Sequence, residues 1–97
     1  MTKMIIGVMT VHISLPGINS LKGKRSVVKS LIGRLKSRFN ISISEVDHQD
    51  NRIRAVIGIS IVSNDSRFID QQFDSIIEFM RNDARFILGQ IEREKFS

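Results

Sequence analysis

The chain has 97 residues, 41% of them apolar and 26% charged, which is the balance of one compact globular domain and leaves no length for a second. It has no cysteine, so disulfides, thiolate zinc sites and thiol nucleophiles are all excluded. The net charge of +5 is unevenly placed: residues 1–44 carry eight cations and no acid, whereas the remainder carries seven cations against ten acids.

In chain order, Ile5, Gly7, Met9, Val11, Ile13 and Leu15 alternate with Met4, Ile6, Val8, Thr10, His12 and Ser14, the period of two that specifies a strand. Leu15-Pro16-Gly17 breaks it. Ser20 then suits an N-cap, and Leu21, Val28, Leu31, Ile32, Leu35 and Phe39 share one helical face before Asn40. Gly23 and Gly33 each weaken that helix by about 1 kcal/mol relative to alanine, so packing must hold it. Residues 41–44 and 53–62 alternate again around a polar turn over 47–52, giving a hairpin. Asn64 or Asp65 caps a second helix with Ile69, Phe73, Ile76, Ile77 and Met80 on its inner face, ended by Asn82-Asp83. Residues 85–91 supply a last, shorter strand. With right-handed crossovers, this order predicts one α+β domain over residues 1–97, a ferredoxin-like βαββαβ sandwich with both helices on one face of a four-stranded antiparallel sheet.

Leu15-Pro16-Gly17, Ser20-Leu21-Lys22 with Lys24-Arg25, the hexapeptide Glu45-Val46-Asp47-His48-Gln49-Asp50, and Ser63-Asn64-Asp65 together resemble the YlxP-like family of small bacterial proteins. The similarity runs along essentially the whole chain, and the hexapeptide is its most specific part. It implies a ferredoxin-like fold, a cytoplasmic bacterial protein, and genes beside those of translation and ribosome-maturation factors, but no particular reaction. The chain departs from the family pattern at Gly23, where an acid is common.

Two constellations invite a functional reading. On a helical wheel with Leu21 at zero, Lys22, Arg25, Lys29 and Lys36 fall at about 40° to 100°, and Arg34 and Arg38 at about 220° to 260°. Ser26, Ser30, Gly33 and Ser37 lie between them, so the exposed face is a shallow groove of small residues with basic rims. Lys22, Lys24, Arg25, Lys29, Arg34, Lys36 and Arg38 are thus the expected nucleic-acid contacts, with Lys22 to Lys36 spanning roughly 21 Å. The competing view is a plain solvated helix whose charge is offset by Asp70, Asp74 and Glu78 of the second helix. All six aromatics are phenylalanines lying off the first and third strands, which argues against base stacking on the sheet.

The second constellation is Glu45, Asp47, His48 and Asp50. Carboxylates beside an imidazole suit a hard metal or an acid–base pair, yet Asp also stabilises turns, and this segment sits where the hairpin reverses. These four are read as turn and partner-contact residues, with Arg52 or Arg54 expected to pair with Glu45 or Asp47. Ser63-Asn64-Asp65 is explained by helix capping, and His12 by a place on the sheet surface.

The expectation is a non-enzymatic module, without cofactor or metal, that binds RNA or a ribonucleoprotein, the ribosome foremost. The alternatives are a small metal-dependent enzyme built on residues 45–50 and a protein–protein adaptor. The even-numbered face of the first strand also predicts a homodimer through the open sheet, with Met4, Ile6, Val8, Val56 and Val62 at its interface. The longest apolar run, residues 4–9, is too short to span a membrane, and no leader pattern precedes it, so a cytoplasmic location is expected.

Overall fold

The computed structural model describes residues 2–97. The elements follow in the order β1 (Ile5–Ser14), α1 (Leu21–Arg38), β2 (Ser42–Asp47), β3 (Arg54–Ser63), α2 (Ser66–Arg81) and β4 (Ile87–Phe96). The four strands form one antiparallel sheet in the order β2-β3-β1-β4, which with two covering helices is the ferredoxin-like arrangement. β1 is central: it pairs along its whole length with β3, from Ile5 opposite Ser63 to Ser14 opposite Arg54.

The period-two pattern of β1 becomes an inner face in which Ile5, Met9, Val11 and Ile13 are buried. They join Ala55, Ile57, Ile59 and Ile61 of β3 in a single core. Val28, Leu31 and Leu35 of α1, and Ile69, Phe73, Ile76 and Met80 of α2, close that core from above. Gly7 belongs to this face because α2 crosses β1 there: a Cβ at position 7 would collide with Ile69 and come within 3.1 Å of Phe73. Ser20 caps α1, its hydroxyl accepting from the Gly23 amide at 3.0 Å. Asp65, rather than Asn64, caps α2 by accepting from Arg67 and Phe68.

Several boundaries differ from those read in the sequence: β3 is shifted by one residue at each end, β4 starts at Ile87 rather than at residue 85, and three further differences have a physical reason. β4 runs on to Phe96 because residues 92–96 continue the ladder along β1 as far as Ile6 opposite Phe96. The apolar alternation fades there because the inner positions of this edge strand are Arg93 and Lys95, which reach the acids of α2 instead of the core. β2 continues past Ser44 to Asp47, since Glu45, inward-facing like Ile43, is neutralised by a cation from α1. α1 ends at Arg38, with the Phe39 amide donating back to the Leu35 carbonyl.

On the open face, Met4 and Val62 are 56% and 62% exposed, and Ile6 and Val8 are half-buried. Val56 departs from its expected place at a dimer interface, for it is only 4% exposed within the single chain. The pairing of β2 with β3 shifts register between Glu45 and Asp47, which puts Asp47 opposite Val56 on one side while His12 is its partner on the other.

Candidate anion-binding surface

Of the seven cations expected to meet nucleic acid, Lys24 does something different. It is fully buried, and its Nζ donates to Glu45 Oε2 at 2.5 Å, to the His48 carbonyl at 2.8 Å and to the Gln49 carbonyl at 3.4 Å. All three ammonium donors are thereby used, the condition under which a buried charge is tolerated. Lys24 is a clamp between α1 and the β2–β3 loop and is unavailable to a phosphate. The wheel contained the signal: Lys24 falls at about 300°, amid Leu31, Leu35 and Val28 at about 280° to 340°.

The same clamp accounts for much of the hexapeptide. Glu45 pairs with Lys24, not with Arg52 or Arg54, because it points to the helix layer while Arg54 lies on the exposed side of β3. Asp47 Oδ1 accepts from the His48 amide at 2.8 Å. His48 has φ 62°, a left-handed conformation that costs a non-glycine residue about 1–2 kcal/mol. Its carbonyl is fixed twice, by Lys24 and by the Asn51 amide at 2.9 Å, and the Asn51 side chain accepts from Ile53 and Arg54 to finish the turn. Asp50 is 95% exposed and lies 3.6 Å from Arg25. The four residues therefore diverge, and among the described residues no three His, Asp or Glu side chains gather where they could share a cation.

Lys22, Arg25, Lys29 and Lys36 stand exposed along α1, which carries no acid. Arg34 and Arg38, the other rim, lie over the Phe79 ring of α2 at 5.1 and 4.7 Å from its centroid. Arg34 also approaches Asp83 at 3.8 Å. Between the rims, Ser26, Gly33 and Ser37 are exposed, and a Cβ at position 33 would meet nothing within 4 Å, so the groove of small residues is present. At its inner side Ser30 Oγ accepts from Arg85, whose guanidinium grips Asp83 through contacts of 2.7 to 3.2 Å. Those hydrogen bonds from Arg85, with smaller help from Arg34, hold the Asp83 carboxyl below its usual 3.8.

Two of the three acids of α2, Asp70 and Asp74, are taken up elsewhere and do not offset the α1 row. Asp70 accepts from Lys95 at 2.9 Å, which is the main reason its carboxyl is held below the usual value, and Asp74 accepts from Arg93 at 2.7 Å. Both cations belong to β4, across the sheet from β2. The exposed cations of α1 thus keep their field, apart from the long contacts of Arg25 with Asp50 and of Arg34 with Asp83.

Comparison with known proteins agrees with this architecture. The designed protein Foldit4 superposes with a TM-score of 0.56, covering 98% of each chain at 11% identity, a likeness of fold alone. "Uncharacterized protein YlxP" of Bacillus subtilis (strain 168) is 36% identical over 61 residues, 63% of this chain and 66% of the relative, so the chain matches just under two thirds of that protein's length. Among the described residues, no helix is long and apolar enough to cross a membrane. The family model described as "Protein of unknown function (DUF503)" matches residues 6–93, from the second residue of β1 into β4, and the chain therefore belongs to the DUF503 family.

Proposed function

We propose that the protein is a non-enzymatic binding module of the bacterial cytoplasm that docks on RNA within a ribonucleoprotein, the ribosome or its assembly intermediates foremost. The observation that supports this most is the row Lys22, Arg25, Lys29 and Lys36, exposed on a helix with no acid, while Asp70 and Asp74 of the neighbouring helix are occupied by Arg93 and Lys95. Along this row, successive cations meet the phosphates of a backbone lying against the small residues Ser26, Gly33 and Ser37, with the serine hydroxyls as hydrogen-bond donors. Recognition of this kind reads shape and phosphate rather than base sequence. The direct test is co-sedimentation with ribosomal subunits from cell extract. The protein should travel with a subunit at low salt and leave it at high salt; absence from the subunit fractions at both salts would contradict the proposal.

A further inference from the structure

A second basic site lies on the other side of the sheet, on the open face, and shares no residue with the α1 row. A cavity of about 210 Å³ is lined there by His12 and Ser14 of β1, His48 of the β2–β3 loop, Arg54 at the start of β3, and the backbone of Gly89. Ser14 is directly opposite Arg54 in the ladder, and His12 is opposite Val56, so His12 and Arg54 are diagonal neighbours on one surface.

Both sides of this cavity are shaped by irregular strand pairing. The β2–β3 ladder shifts register between Glu45 and Asp47, and the β1–β4 ladder shifts between Val11 and Ile13, beside His12. Bulges re-aim the side chains next to them, and they recur beside functional sites. Gly89 keeps the wall thin: a Cβ there would sit 3.4 Å from the His12 carbonyl oxygen and 3.6 Å from its Cβ.

His48 is held left-handed where glycine would fit without cost, and the buried Lys24 fixes its carbonyl. A strained backbone retained under an imidazole, rather than relieved by glycine, points to a use for the imidazole. The acids of the loop face away from this use. Glu45 is bound by Lys24, Asp47 accepts from the His48 amide, and Asp50 is beside Arg25, and among the described residues no carboxylate lines the cavity.

We propose that this cavity binds a phosphomonoester. Two imidazoles, a guanidinium and a hydroxyl approach from three separate segments, which matches the dispersed acceptors of a tetrahedral dianion better than the single plane of a carboxylate. The volume also leaves space for part of the group that bears the phosphate. The phosphate comes either from a free small molecule or from the 5′ end of an RNA, and the chemistry recognised is the same in both.

The test is an amide and imidazole NMR titration of the intact chain, with inorganic phosphate first. Ribose 5-phosphate and a short RNA in its 5′-phosphorylated and 5′-hydroxyl forms follow. Saturable shifts at His12, Ser14, His48, Arg54 and Gly89 are expected, and His48→Gly and Arg54→Gln should each weaken phosphate binding by about tenfold or more. His48→Gly relieves the left-handed strain, so its melting temperature should not fall, which separates lost binding from lost folding. Tight binding of ribose 5-phosphate identifies a free ligand; discrimination between the two RNA forms at these same residues identifies an RNA end. Shifts confined to the α1 cations, or phosphate affinity unchanged in both variants, would overturn the proposal.

Discussion

Lys24 shows what a single side chain can do in a domain this small. Its ammonium ties α1 to β2 and to the turn that follows, and it carries no exposed surface. Removing one partner of a buried pair leaves the other charge uncompensated, at a cost of about 3–5 kcal/mol. Lys24→Met should therefore lower stability by that order in chemical denaturation, and Glu45→Gln should also destabilise, with a non-additive double variant. If Lys24→Met is stable within about 0.5 kcal/mol of the parent, the clamp is not structural. The position was legible in the sequence, since the wheel angle of Lys24 lies in the apolar stripe and the alternation Ile43, Glu45 turns a carboxylate inward. Each fact alone reads as an anomaly. Only the crossing of α1 over β2 makes them a pair, and that placement is tertiary information.

At the scale of elements, the helices and central strands follow their hydrophobic periodicity, but the edge strand β4 does not. Its inner positions Arg93 and Lys95 answer Asp70 and Asp74 of α2, and Arg93 also lies 5.3 Å from the Phe73 ring centroid, so cations take the role that apolar residues play elsewhere. A pattern search sees charges at 92–95 and stops the strand early. The loop between α2 and β4 is tied in a similar way, through Asp83, whose side chain is 6% exposed and bound by Arg85 and Arg34. Because the folded state depresses the Asp83 carboxyl below its unfolded value near 3.8, the associated stability is present above that pH. It is lost as acidification proceeds through 3.8 and below. Melting curves recorded from pH 6 down to about pH 2.5 should thus fall on the acid side, and Asp83→Asn should be less stable at pH 6 and show a shallower acid decline. An identical acid decline in the two proteins would remove Asp83 from this account.

For the whole molecule, the two faces of the sandwich offer different chemistry. The helix side presents the α1 cations, whereas one end of the open side presents Val62, Ile6 and Phe96 in register across three strands, with Met4 beside them. We infer that this apolar end is covered by a second copy of the chain. Half the length of the ten-residue strands β3, β1 and β4, at about 3.4 Å per residue and about 4.8 Å between strands, makes an apolar end on the order of 250 Å². That is below the roughly 800 Å² per partner of standard interfaces, so the dimer should be weak and depend on concentration in sedimentation equilibrium. Ile6→Glu should leave a folded monomer at all concentrations; a parent chain that is monomeric throughout the range would contradict this pairing.

If α1 binds RNA through its phosphates, the salt dependence of binding must follow the number of exposed cations on that helix. Affinity for a single-stranded RNA should be measured from low to moderate salt for the parent chain and for the triple variant Lys22→Gln, Arg25→Gln, Lys29→Gln. Each phosphate contact contributes about 0.7 to the slope of log affinity against log salt, so the variant should bind more weakly with a slope shallower by about 2. Asp70→Asn with Asp74→Asn should not weaken binding. A triple variant that keeps both the affinity and the slope of the parent would contradict the assignment of α1 as the RNA-binding face.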